Sequence, residues 1–241
     1  MAAEPCHWFS SDDWLAGFLG KPAFHLDAGR ATHEPDVLWW LAEWRQRPCF
    51  IDAKAAADDL GRTSWLEDAG FRVIDTLLTF ERGEPLNRET AGVREASAAD
   101  ADAVAELAGR AFAQSRFHLD SRIGASIANR IKAAWARNYF AGRRGDAMVV
   151  AEQDGRILGF LQLIRGNAGT WAIDLIAVDA DARGRGLGGR LVAFAARRAG
   201  CRRLRVGTQV ANVRSIRLYE SLGFRLVDAR YVFHLHGGGS A

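Results

Sequence analysis

Lysine, proline and cysteine are scarce in this 241-residue chain, and one long stretch has no acid at all. Cys6, Cys49 and Cys201 are odd in number and far apart. They suggest neither a disulfide framework nor a metal-ligand pair, and they favour a reducing compartment, the cytoplasm. No apolar run approaches the roughly 18 residues that a membrane span needs. The opening Met-Ala-Ala-Glu-Pro-Cys-His-Trp lacks the basic and apolar regions of a secretory signal. No Gly-Lys-Ser/Thr occurs, so the phosphate-loop NTPase pattern is absent. Lysine stands only at Lys21, Lys54 and Lys132, so 29 of the 32 basic residues are arginine, the planar, bidentate phosphate binder. A GC-rich genome would give the same excess.

What is present suits a globular core: 49% apolar and 25% charged residues. The net charge of +3 is unevenly spread. Residues 1–90 hold 9 basic and 16 acidic side chains, and residues 91–241 hold 23 and 13. All five prolines and six of the eight tryptophans lie in the first 85 residues. These shifts place a small mixed domain at 1–85, a linker at 83–92 and a larger domain at 92–236.

The pattern predicts an α/β fold, a mixed sheet with helices on its faces. In the first segment it gives strands at 23–26, 49–53 and 71–80 and helices at 36–47 and 58–69. In the second, strands fall at 93–96, 147–152, 157–164, 171–178, 203–207 and 224–235, and helices at 101–113, 121–140, 188–199 and 212–221. Ser97 opens a capping-box pattern, and Asp154-Gly155 signals a hairpin. Residues 66–75 match 219–228 at an offset of 153, sharing Glu, Gly, Phe, Arg and Asp in register. This reads as a shrunken relative in which Leu66 stands where Tyr219 stands, or more plainly as a common helix–Gly–strand junction.

Chemistry concentrates in Ile173-Asp-Leu-Ile-Ala-Val-Asp-Ala-Asp-Ala-Arg-Gly-Arg-Gly-Leu-Gly-Gly-Arg190, a strand, a glycine-rich turn and a helix. Such a turn presents backbone N–H groups at the positive end of a helix, where a pyrophosphate sits well. From Ala182 to Tyr219 there are ten arginines and no acid, a field suited to a polyanion. Gly184, Gly186 and Gly189 also satisfy the dinucleotide pattern. The acidic residue expected about 20 positions later is missing, and too little chain follows, so that reading is set aside.

Arg183-Gly-Arg-Gly-Leu-Gly188 resembles the acetyl-CoA motif of the GCN5-related N-acetyltransferases (GNAT). Asn212-Val-Arg-Ser-Ile-Arg-Leu-Tyr-Glu-Ser-Leu-Gly-Phe224 is similar to that family's second motif. The resemblance covers about residues 92–236 and implies a GNAT fold using acetyl-CoA as cosubstrate. It implies that Ile176, Ala177 and Val178 pair with the pantetheine arm. N–H groups across Arg183, Gly184, Arg185, Gly186, Leu187, Gly188 and Gly189 would hold the pyrophosphate. Asn212 and Ser215 would line the arm, and Tyr219 would lie near the sulfur.

A narrower likeness, carried by Ala111-Phe-Ala-Gln-Ser-Arg-Phe117, Trp135, Asn138 and Arg205-Val-Gly-Thr-Gln-Val-Ala-Asn212, is to the dTDP-fucosamine N-acetyltransferases. It implies a nucleotide-sugar partner, a dTDP-linked 4-amino-4,6-dideoxyhexose, with Arg116 and Phe117 in a loop facing it. A homodimer is the assembly expected.

In that framework Tyr219 is the expected proton donor to the leaving thiolate. Asp174, the only acid on its strand, either accepts the amine proton, directly or through water, or instead hydrogen-bonds a loop or binds substrate; family members with a base often carry Glu two positions earlier, where Ala172 stands. Cys201 reads as packed and His234-x-His236 has no third ligand in view, so no metal is expected. Trp39, Trp40 and Trp44 read as core or subunit contact. The arginine run at 197–205 lacks interleaved aromatics, so nucleic acid is not expected. A peptide N-acetyltransferase and a non-catalytic acetyl-CoA-binding module are the rivals.

Overall fold

The computed structural model describes residues 8–31, 35–83, 86–200 and 202–238. Cys6, Cys201 and Pro85 lie outside them. In chain order the elements are β1 (Phe9–Ser11), α1 (Asp13–Leu19), β2 (Ala23–Leu26), α2 (Ala28–Ala31), α3 (Pro35–Arg45), β3 (Cys49–Ala56), α4 (Leu60–Asp68) and β4 (Arg72–Arg82). There follow β5 (Val93–Glu95), α5 (Ala101–Ala111), α6 (Arg116–Leu119), α7 (Ala125–Phe140), β6 (Ala147–Gln153), β7 (Arg156–Arg165) and β8 (Thr170–Val178). The chain continues through α8 (Leu187–Ala199), β9 (Arg203–Gln209), α9 (Val213–Ser221) and β10 (Arg225–Gly237). No helix among the described residues is long and apolar enough to cross a membrane.

The chain divides into two compact units. One comprises the chain up to Leu77, Leu119–Ile123 and the residues from Asp228 onward; the other comprises Leu78–His118 and Gly124–Val227. This differs from the linear split into 1–85 and 92–236, because β10 is one long strand whose second half pairs with β3, from Arg230 opposite Ala56 to Gly237 opposite Cys49.

In the first unit β1 pairs antiparallel with β2, β2 parallel with β3, and β3 antiparallel with β10. Helix α3 covers this sheet with Val37, Trp40 and Leu41, all 1% exposed or less. The Trp40 ring stacks on Phe9 with centroids 3.7 Å apart, and Trp44 packs partly buried beside it. Trp39 is 61% exposed and lies outside this core, which leaves subunit contact as the untested half of its reading. One full turn of a helix separates Trp40 from Trp44, whereas Trp39 is rotated about 100° away. The same unit brings Asp120 against His234 and His236. A third group therefore stands beside the histidine pair, which the spacing along the sequence could not show.

In the second unit the sheet order is β9-β8-β7-β6-β5, antiparallel except for the parallel pair β8–β9. Helices α5 and α7 cover one face and α8 and α9 the other, so alternate residues of β6 and β7 are buried on both sides. This explains the near-continuous apolar reading of these strands. Asp154 and Gly155 both take positive φ, 51° and 74°, as a two-residue hairpin turn requires. Helix α7 begins at Ala125 rather than Ser121. Asp120 Oδ1 takes the Arg122 N–H at 3.0 Å, and Gly124 takes a φ of 79°, so the intervening residues form a turn.

The two junctions at an offset of 153 share their geometry. Helices α4 and α9 start and stop at equivalent positions, as do the starts of β4 and β10. Asp59 caps α4 by accepting from Arg62 N, and Asn212 caps α9 by accepting from Ser215 N. Gly70 and Gly223 both take positive φ, 89° and 76°. Each is followed by a phenylalanine whose N–H bonds back five residues, Phe71 to Leu66 O and Phe224 to Tyr219 O. This is the left-handed helix stop that glycine permits. At Gly223 a Cβ would also run into the Arg82 guanidinium, which donates to Leu222 O. Gly223→Ala should therefore cost about 1–3 kcal/mol in urea unfolding. Gly142→Ala, with a φ of 66° but open space around it, should cost about 1 kcal/mol.

Candidate active site

The site begins where two parallel strands part. The β8–β9 ladder runs from Thr170 opposite Arg203 to Ile173 opposite Val206 and stops there, while β8 continues to Val178 and β9 to Gln209. At the same point β8 carries a bulge: Leu163 of β7 faces Ile173 and Gln162 faces Leu175, leaving Asp174 as the extra residue. The bulge reverses the side-chain alternation. Before it, Trp171 and Ile173 pack with Leu191, Val192 and Tyr219. Beyond it, Leu175 and Ala177 pack with Val104, Leu107 and Phe160 on the opposite face.

A cavity of about 610 Å³ opens beside the freed end of β8. Ile176, Ala177 and Val178 line one wall, Asn212, Ser215 and Tyr219 another. Arg183, Gly184, Gly186, Leu187, Gly188 and Gly189 form the end. Of the residues expected around the cosubstrate, only Arg185 is not on this lining; its guanidinium donates to Asp181 O at 3.1 Å.

The glycine loop is held from behind. Asp179 Oδ1 accepts from Asp181 N at 3.1 Å, and its Oδ2 lies 2.6 Å from Arg110 of α5. These contacts keep the Asp179 carboxyl below its usual range. The Arg183 side chain turns back to Val178 O at 3.1 Å, so that residue offers its backbone rather than its charge. Gly184 and Gly186 take φ of 79° and 78° with open space where a Cβ would stand. The first α8 backbone bond runs from Arg190 N to Gly186 O. The N–H groups of Leu187, Gly188 and Gly189 therefore lack an intrahelical partner and sit at the positive end of a 13-residue helix. At 188 and 189 the constraint is different and softer: a Cβ would stand 3.0 Å from the Leu218 side chain or the Arg88 guanidinium, which would have to give by a few tenths of an ångström.

Arg88 also lines the cavity, with Arg183 and Arg214, and no carboxylate does. It lies in the segment read as a linker, where nothing local distinguishes it.

Tyr219 is 2% exposed, with its ring among Phe80 and Phe224 at centroid distances of 6.0 and 5.7 Å. Burial pushes its phenol well above the ordinary value of about 10, opposed by a hydrogen bond with Ser215 one helical turn earlier. The phenol is thus held neutral, as a donor.

The other expected residues gather on the α7 side of the sheet. Asp174 accepts from Trp135 Nε1 at 2.8 Å, from Arg144 through two bonds of 2.7 Å, and from Gln162 Nε2 at 3.1 Å. Four donors leave this carboxylate an ion-paired acceptor. Phe117 is 1% exposed, with the Arg116 guanidinium 4.6 Å from its ring. Phe117, expected in a loop facing the acceptor, is buried on the short α6 and is not on the lining of the cavity. Arg116 remains on the surface of that ring.

Lys132 was not anticipated. It is 8% exposed, with its ammonium 4.9 Å from the Phe112 ring centroid and 4.6 Å from that of Trp135. Desolvation, then Arg116 and Arg144, push its pKa down to about 8, while Asp174 acts in the opposite direction. The signal lay in composition. Lys132 is one of only three lysines in a chain that otherwise uses arginine.

A strand parted from its neighbour, a glycine loop at a helix N-terminus and a phenol thus line one cavity. Residues 111–224 match the model of the acetyltransferase (GNAT) family, so the chain carries a GNAT domain. Among curated proteins, it is 29% identical over 225 residues to the dTDP-fucosamine acetyltransferase of Escherichia coli O6:H1, covering 90% of this chain and 93% of that one. It is 34% identical over 146 residues to the spore coat polysaccharide biosynthesis protein SpsD of Bacillus subtilis, covering 59% of this chain and 50% of that one. The match thus spans half the length of SpsD. Solved structures of similar fold include a tandem GNAT protein from the clavulanic acid biosynthesis pathway, with TM-score 0.61 and 19% identity over 92% of this chain and 77% of that one. A GCN5-related N-acetyltransferase from Sphaerobacter thermophilus gives 0.61 and 15% over 95% and 76%.

A lysine whose folded pKa lies below its unfolded value destabilises the fold wherever it is charged in both states. The penalty is full below about pH 8 and fades toward pH 10.5, so stability contributed at this site rises across that window. Lys132→Met should relieve roughly 1–3 kcal/mol at pH 7. Thermal melts across pH 7–10.5 should show the mutant more stable at the low end and the difference closing at the high end.

Proposed function

We propose that this chain is an acetyl-CoA-dependent N-acetyltransferase acting on the amine of a nucleotide-linked amino sugar of the dTDP-4-amino-4,6-dideoxyhexose type, by direct transfer. The observation that carries the reading is the convergence of Ile176–Val178, the Gly184–Gly189 loop and Tyr219 on one carboxylate-free cavity. The polyanionic end of the cosubstrate would lie on the loop N–H groups, with Arg88 and Arg214 beside it. The pantetheine arm would pair with the freed edge of β8.

The amine attacks the thioester carbonyl. Its oxygen gains negative charge beside the backbone N–H groups of the Ile176–Val178 segment, an arrangement worth several kcal/mol when preformed. The leaving thiolate takes a hydrogen bond from Tyr219. As the C–S bond breaks, the desolvated thiolate takes the phenol's proton, and the proton lost by the attacking nitrogen leaves through solvent and restores Tyr219. A sugar amine that titrates near about 8 is partly neutral already, so a dedicated strong base is not required. Asp174, bound by four donors, serves in this reading to position Trp135 and Arg144 beside the acceptor. Arg116, Lys132 and Arg144 surround it with more positive charge than Asp174 neutralises, which suits the diphosphate of a sugar nucleotide. The names of the relatives support the sugar class.

We read the first unit as a reduced copy of the β8–β10 half of the second. Leu66, fully buried, stands where Tyr219 stands, so the copy has no phenol and serves as structure.

Purified protein with acetyl-CoA should release free thiol with dTDP-linked 4-amino sugars and not with peptides; release with peptides alone would replace the acceptor. Tyr219→Phe should lower kcat by about 10–10³-fold while the Kd for CoA changes less than twofold. Unchanged turnover would remove Tyr219 from the chemistry. Asp174→Asn separates positioning from base catalysis. Positioning raises the KM for the acceptor with the acid limb of the pH–rate profile in place, whereas a base would lose that limb with kcat.

A further inference from the structure

The first unit holds a cavity of about 610 Å³ that acetyl transfer does not use. Its floor is the Asp120, His234 and His236 trio, whose candidate ligand atoms lie within 4.8 Å of one another. Its rim carries Arg45 from the end of α3, Arg72 from the start of β4 and Arg122 from the loop after α6.

The trio by itself suggests a cation, but its electrostatics oppose one. Asp120 Oδ2 accepts from His234 Nδ1 at 2.6 Å and His236 Nε2 at 2.7 Å, and Oδ1 accepts from Arg122 N at 3.0 Å. Behind His236, Lys21 Nζ lies 3.0 Å from Nδ1. An ammonium only donates, which fixes Nδ1 as acceptor and Nε2 as donor to Asp120. The one carboxylate on the cavity lining is therefore occupied on both oxygens, and a cationic side chain backs the imidazoles.

The arginines are the opposite case. None of the three has a carboxylate partner among the described residues. Acid is not in short supply, since residues 1–90 hold 16 acidic side chains against 9 basic ones. Three like charges gathered at one concavity, with the only acid on its lining buried and hydrogen-bonded on both oxygens, make a local field that concentrates an anion.

We propose that this cavity binds a diphosphate-bearing anion, held by the guanidinium groups of Arg45, Arg72 and Arg122 over the buried Asp120–histidine floor. Guanidinium forks match phosphoryl oxygens bidentately, and three of them balance the charge of a diphosphate. The volume also admits a nucleoside attached to it. The site stands whether or not the acceptor in the second unit is a sugar nucleotide.

The test is calorimetry on the full chain, first saturated with CoA so that the glycine loop is filled. Inorganic pyrophosphate, dTDP and zinc chloride are titrated separately. Pyrophosphate should bind once per chain, more weakly as salt is raised, and at least tenfold more weakly to the exposed-residue double variant R72Q/R122Q, whose melting temperature and CoA uptake stay as in the parent. Tighter binding of dTDP than pyrophosphate identifies a nucleoside diphosphate as the source; equal binding identifies the free anion. No pyrophosphate binding, or binding indifferent to R72Q/R122Q, overturns the proposal. One-to-one zinc uptake lost in H234A, without pyrophosphate binding, overturns it in favour of a metal.

Discussion

Everything in the second unit follows from the point at which β8 leaves β9. A parallel ladder normally satisfies the backbone of both strands. Here it ends at Ile173 and Val206, and the strand beyond has one edge without that neighbour. An open edge inside a domain needs a partner, and an extended amide-bearing arm is the natural one. The bulge at Asp174 makes the parting possible without disturbing the core. It adds one residue on β8 at the fork, so side chains change faces and both hydrophobic layers stay filled.

The electrostatics divide along the same fork. On the glycine-loop side, Arg88, Arg214 and unpartnered N–H groups meet no carboxylate on the cavity lining, so the field there is positive. On the α7 side, Asp174 is present but saturated by Trp135, Arg144 and Gln162, while Lys132 is held by ring faces at reduced basicity. Transfer between an uncharged amine and a thioester needs few titrating groups, and the fold provides few. For the proposed transfer it offers fixed dipoles, a neutral buried phenol and arginine-bearing walls instead.

The same peptide geometry was used twice. The capped helix, left-handed glycine and following phenylalanine recur at an offset of 153, but the second copy presents Tyr219 and the first presents Leu66. The local fold is indifferent to this difference, because both side chains bury against a sheet. The chemistry is not, since only one carries a hydroxyl. The first unit instead gathers arginines and histidines at a separate concavity.

The sequence by itself determined whatever depends on neighbours along the chain: helical and strand periods, the hairpin at Asp154-Gly155, the helix stop at Gly223 and the glycine loop after β8. These rest on backbone preferences within a few residues, and the order of the longer elements could be read from them together with the cavity residues from Ile176 to Gly189; β1, α1, α2 and α6, all seven residues or shorter, were missed. Only the tertiary structure decided the rest. Arg88 came to line the cavity, Lys132 was buried against Trp135, and Asp120 joined two histidines more than a hundred residues away. It also gave the second half of β10 to the first unit. Burial, the pairing of distant charges and the choice of strand neighbour are set by packing in three dimensions, and no period along the chain encodes them.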